Sequence, residues 1–253
     1  MLSLPIYTHP TQTGTHRRDP LQLAFDHHWS ELAPLCLDRL TLLRAIRAPL
    51  LRASTCPQRT GWLAFGLDQF ERGFHPRYML TYHYRSPEET GCTLRPRPGA
   101  ATRRPVPRPG AGGTLRRYQA IERQRQDLDA VSTNACRVRA VLHRVFRRGT
   151  PRAQRLVLPL LFWHEHGRAG LGYHTHLLLP HPPGPVLAAG ELEQVWRSRV
   201  VPRVKTLSPA RSGCDVLPLP DLGTALGQLI YVTKEASPTH NPFDCHASVC
   251  LPR

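Results

Sequence analysis

An α+β domain, built on a central antiparallel β-sheet with flanking helices and an N-terminal helical extension, is what this 253-residue sequence predicts. Two apolar runs, residues 156–166 and 172–179, enclose a stretch bounded by Gly167 and Gly172, the pattern of a β-hairpin with a loop of about five residues. An aromatic and β-branched run from Arg77 to Tyr84 lies between turn formers and reads as a further strand. Before, between and after these runs, apolar residues recur at the helical spacing of three and four.

In chain order, residues 1–18 mix Pro, Thr, His and Gly without periodicity and are expected to be loose. Asp19-Pro20 is a helix start, with an acidic N-cap before a proline at the first helical position. Leu21, Leu23, Ala24, Phe25, Trp29 and Leu32 supply its stripe up to Pro34. A second helix is predicted from about Leu37 to Leu51, on Leu40, Leu43, Ile46 and Leu50. Its Arg39, Arg44, Arg47 and Arg52 fit a solvated charged face more simply than a DNA contact. A Ser/Thr/Cys/Pro/Gln stretch at 54–60 reads as a breaker closing this region, and residues 1–74 are read as the N-terminal helical extension.

The main domain is placed at 75–240. After the strand at 77–84, residues 91–113 hold five Pro, five Arg and five Gly, a composition too poor in apolar surface to offset its ordering entropy. That segment is expected as a flexible basic insertion. Thr114 to Arg148 is helical in pattern, with a break expected at Asn134 and a stop at Gly149-Thr150-Pro151. The hairpin follows, then a short helix over 191–197, a short strand from Cys214 to Leu219, and a helix from Asp221 to Ala236. On that last helix Tyr231 and Lys234 stand three apart and share a face. Residues 241–253, with Cys245-His246 and Cys250, are expected as a solvated C-terminal tail.

Net charge narrows the partner. The chain carries +16, nearly all of it from Arg, since Lys occurs only at Lys205 and Lys234. A positive excess of this size predicts a polyanionic partner, most simply nucleic acid, bound with strong salt dependence. The 7 cysteines are scattered, odd in number and free of C-x-x-C pairs, which argues against a disulfide framework and a zinc ribbon and for a reducing compartment. With no charged-then-apolar leader and no apolar run of membrane-spanning length, a soluble cytoplasmic protein without membrane contact is expected.

The histidines narrow the chemistry. In a strand, alternate residues share a face, so His174 and His176 point one way and Thr175 the other. Two imidazoles about 7 Å apart along one strand can converge on one metal ion, and Glu165, near the end of the preceding strand, can reach the same spot.

Taken together, Leu80-Thr81-Tyr82, His174-Thr175-His176 and Tyr231-Val232-Thr233-Lys234 resemble the three ordered motifs of the HUH endonuclease superfamily, and within it the rolling-circle replication initiator (Rep) proteins. The likeness spans roughly 75–240 and rests on the order and placement of short motifs; Thr175 stands where many members have an aliphatic residue. It implies an HUH/RRM-like fold and metal-dependent, site-specific nicking and joining of single-stranded DNA, which starts rolling-circle-type replication. In that reading Tyr231 is the nucleophile and forms a 5′-phosphotyrosine, and Lys234 steadies the phosphate or a metal-bound water. His174, His176 and Glu165 hold Mn²⁺ or Mg²⁺, with His164, His166 and His83 as alternatives for the third ligand. Implied partners are single-stranded DNA or an origin hairpin, and a host helicase and polymerase, because the chain carries no G-x-x-x-x-G-K-[ST] phosphate loop. A single-strand transposase and a non-catalytic basic nucleic-acid-binding protein are the alternatives. Motif order argues against a relaxase.

Overall fold

The computed structural model describes residues 19–86, 88–90, 112–146, 158–167, 172–182, 186–210 and 213–252. The loose start expected over 1–18, the stop at 149–151 and the insertion as far as residue 111 lie outside them. Described helices are α1 (Pro20–Leu32), α2 (Arg39–Ala53), α3 (Pro57–Glu71), α4 (Gly112–Gln126), α5 (Leu128–Phe146), α6 (Ala189–Val195) and α7 (Leu222–Val232). The strands are β1 (Tyr78–His83), β2 (Leu161–His166), β3 (Tyr173–Leu179) and β4 (Cys214–Pro218), paired antiparallel in the order β2-β3-β1-β4. The α+β class and its antiparallel sheet are as the sequence predicts.

Strand alternation sorts the sheet's residues into two cores. Tyr78, Leu80, Tyr82, Phe162, Leu177 and Leu179 face α5 and Trp196, whose five-residue π-helical turn (Trp196–Val200) continues α6. Met79, Leu161, Trp163 and Leu178 face the opposite way, onto Leu21 and Phe25 of α1, Leu43, Ile46 and Leu50 of α2, Leu63, Leu67 and Phe70 of α3, and Leu226, Leu229 and Ile230 of α7. The helices read from sequence as an N-terminal extension thus share a core with the sheet. Asp19 caps α1 as expected, and its carboxylate also pairs with Arg59 of α3.

Four details of the sequence reading are corrected. The stretch at 54–60 is not only a breaker: Pro57 sits in the first turn of α3, where its missing N–H costs nothing. Gly66 lets α3 close on α7, since a Cβ there would run into the Leu229 side chain. Between α4 and α5 the break falls at Asp127, whose carboxylate accepts from the Asp129 and Ala130 amides, while Asn134 is buried within α5. Gly112 and Gly113, read as the end of the insertion, open α4.

The fourth correction is the C-terminal tail, which is largely docked rather than solvated. Phe243, Asp244, Ala247 and Ser248 are buried, and Phe243 packs 4.8 Å from the Trp163 ring and 4.9 Å from that of Trp62. Backbone bonds run along the outer edge of β2: Leu160 and Val249 exchange two (3.0 and 2.7 Å), His164 donates to Pro242 (2.7 Å) and Asp244 donates to Phe162 (3.0 Å). Cys245 and Cys250 stay exposed.

Candidate metal centre

The hairpin register decides which side chains can meet. Glu165 lies directly opposite His174, and Trp163 opposite His176, so Glu165, His174 and His176 emerge on one face. A shift by one residue would have sent Glu165 to the other side. The carboxylate of Glu165 places Oε2 3.0 Å from His176 Nε2 and 3.3 Å from His174 Nε2. His176 is buried, while His174 and Glu165 are only partly covered.

Helix α7 carries the remaining sequence-predicted groups to this spot. Asp221 caps its start by accepting from the Thr224 amide, and Thr233 closes its end with a hydroxyl bonded to the Leu229 and Ile230 carbonyls. Lys234 therefore stands just beyond the helix, not on it, although its amide still donates to the Tyr231 carbonyl at 3.1 Å. The two side chains nevertheless converge. Lys234 Nζ lies 2.8 Å from Glu165 Oε1 and 3.5 Å from the centre of the Tyr231 ring, which stands edge-on to His176 at 5.3 Å.

The ionisation states follow from this packing. Burial works to raise the Glu165 carboxyl, but hydrogen bonds from His174, His176 and Lys234 outweigh it and hold the group well below the usual carboxylate range. Burial pushes the His176 imidazole down to about 4, against the pull of Glu165. The Tyr231 phenol is pushed up, chiefly by burial and also by Glu165, with Lys234 opposing. At neutral pH the cluster is thus an ionised carboxylate, a neutral His176 and a protonated phenol.

This donor set fits a divalent cation. Ligand bonds of about 2.1 Å at right angles set donor atoms about 3.0 Å apart, close to the spacings found, and two imidazoles with a carboxylate suit Mn²⁺ or Zn²⁺ better than Mg²⁺. His176 Nδ1 lies 2.9 Å from Thr81 Oγ1, opposite it on β1, so the ring proton that Nε2 gives to Glu165 in the metal-free site can move to Nδ1 and be held by Thr81 when an ion takes Nε2. Glu165 Oε2, His174 Nε2 and His176 Nε2 would hold the ion.

Of the alternative third ligands, His164 and His166 leave β2 on the opposite face. His164 is spent there in a buried chain: its Nε2 meets Asp244 Oδ2 at 2.9 Å, its Nδ1 meets Thr175 Oγ1 at 2.9 Å, and Tyr84 reaches the same hydroxyl at 3.0 Å. His83 is on the metal face, its ring 5.4 Å from that of His174, beside the cluster rather than in it. Sequence reasoning missed Thr81 as the group orienting His176, although the residue was in view; only the β1–β3 register reveals it. A second group, His27, His28 and Glu31, sits on the surface of α1, two of its members exposed, and its histidines have no comparable orienting bond among the described residues. Compared with known protein families, curated proteins and solved structures, the chain matches none.

Proposed function

We propose that the protein nicks and rejoins single-stranded DNA through a tyrosyl intermediate, with Tyr231 as nucleophile, in the manner of the HUH replication initiators that its motifs resemble. One observation carries this reading: a two-histidine, one-carboxylate donor set, a phenol and a lysine, supplied by three separated stretches of chain, meet on one face of the sheet.

A bound Mn²⁺ or Mg²⁺ would supply Lewis-acid polarisation of the scissile phosphate. The chain's own groups do the rest. Tyr231 Oη attacks phosphorus as it gives up its proton, because a phenol pushed above its usual pKa is not ionised beforehand. The new bond is a 5′-phosphotyrosine; the bond broken is P–O3′, and the leaving oxygen takes a proton to become a free 3′-OH. Lys234 holds the tyrosine ring in place through a cation–π contact and adds positive charge where the phosphoryl oxygens gather it. Attack by a 3′-OH on the phosphotyrosine reverses the step and rejoins DNA. The net charge of +16 supports binding to the strand.

The test is covalent capture. With Mn²⁺ and single-stranded DNA carrying candidate origin hairpins, the protein should form a DNA adduct that survives denaturation. Tyr231→Phe should bind the same DNA and capture none. Equal capture by that variant would remove the mechanism, and salt-sensitive binding without cleavage at any metal concentration would mark a binding protein.

A further inference from the structure

A cavity of about 540 Å³ opens between the π-helical turn and the β4 side of the sheet, and nothing in the metal centre uses it. Its cationic lining is Arg85, Arg197 and Lys205; Trp196 and Val201 are buried at its floor, and its exposed apolar rim is Pro202, Pro209 and Ala210. Arg197 is engaged with Glu193 at 2.6 Å. Among the described residues neither Arg85 nor Lys205 has a carboxylate partner, and Arg85 Nε donates to the Leu207 carbonyl at 2.9 Å, which fixes the guanidinium in place.

The cavity is tied to the metal centre through β1. Past His83 the chain stays paired: Arg85 donates to Thr206 at 2.8 Å, Ser208 donates to His83 at 3.0 Å, and Tyr84 bridges Leu207. Arg85 is two residues, about 7 Å of extended chain, beyond the His83 ring that packs on His174. A cation-lined hollow with a proline rim therefore lies off the end of β1 that carries His83, on the side of the sheet where Trp196 and Cys214 pack rather than on the metal face. Guanidinium and ammonium groups take a phosphate, while the exposed proline rim offers apolar contact to a sugar or base. A concave site of this kind admits a nucleotide splayed from a single strand, whereas a stacked duplex presents no such protrusion.

We infer that this cavity is a nucleotide-binding subsite that seats one nucleotide of single-stranded DNA, with Arg85 and Lys205 on its phosphate. The inference rests on the nickase reading but is tested without it, by binding in EDTA, where no metal-dependent cleavage occurs. Fluorescence anisotropy of labelled (dT)15 is measured with the full chain, Lys205→Glu, Arg85→Gln and, as a control, Arg44→Glu on the exposed face of α2. The expected result is at least about tenfold weaker binding for each cavity variant and under threefold for the control, with a 15-base-pair duplex affected under threefold by all of them. Lys205→Ala, the mildest change, should lower the salt slope by about one. Equal losses for Arg44→Glu, no loss for Lys205→Glu, or equal losses on duplex would each overturn the subsite. A failure of covalent capture with these binding differences intact would fault the nickase reading instead.

Discussion

Glu165 with His176, and Asp244 with His164, are the same chemical pair built twice on opposite faces of one hairpin, at 3.0 and 2.9 Å. In each, the second imidazole nitrogen meets a threonine hydroxyl 2.9 Å away, Thr81 for His176 and Thr175 for His164. The difference lies at the other carboxylate oxygen. Asp244 Oδ1 accepts from the His246 and Ala247 amides, fixed donors of its own turn. Glu165 Oε1 accepts from Lys234, a flexible side chain that is about one-third exposed. Backbone amides cannot leave, so the Asp244 pair is a buried clamp on the C-terminal segment; a lysine can exchange for another cation, so only the Glu165 pair is open to a ligand.

The largest expected contrast comes from neutralising each carboxylate. Glu165→Gln should lower covalent capture about 10³-fold, whereas Asp244→Asn should leave capture per folded molecule within about threefold of the parent. Large losses of capture in both would break the division of labour. Next is stability: Asp244→Ala strands the buried His164 and Ala247 amide, together with the His246 amide, and should cost about 3 kcal/mol, a fall of roughly 6–12 °C in Tm, measurable by calorimetry.

A comparable effect should appear with pH. In metal-free protein His176 takes a proton only near 4, against about 6.5 in the unfolded chain. Between those values the unfolded state binds more protons, so stability is complete above about pH 6.5 and falls as pH drops towards 4, by about 3 kcal/mol. Glu165 and Asp244, held low in the fold, add their own loss only below about pH 4. Urea unfolding in EDTA at pH 7, 5.5 and 4.5 should show the upper window, and His176→Gln should flatten it. The smallest effects separate the two hydroxyls. Thr81→Val should weaken Mn²⁺ binding about tenfold by titration calorimetry, while Thr175→Val should cost about 1 kcal/mol of stability and leave Mn²⁺ affinity alone.

Much of this was legible in the residues. Period-two alternation placed His174 and His176 together, while Glu165 depended on a hairpin register that the sequence left open and the strand pairing supplies. The apolar stripes gave α1, α2 and α7 to within a few residues, and the end of α5 but not its start. What escaped depended on long-range partners. The start of α3 looked like punctuation because Ser, Thr, Cys and Pro occur in turns and helix starts alike. The docking of 242–249 escaped because Asp244 finds His164 across 80 residues, and no local pattern announces such a bond. Lys234 was placed on a helix expected to reach Ala236 that ends four residues sooner, at Val232, where the Thr233 hydroxyl closes its last turn.

The segment running along β2 has one more consequence. β2 is an outermost strand, and the outward N–H of His164 and C=O of Phe162 would template any extended peptide that drifted past. Pro242 and Asp244 already occupy those groups, as Val249 occupies those of Leu160. A chain cut after residue 241 should therefore self-associate edge to edge, losing colloidal stability even where each copy still folds.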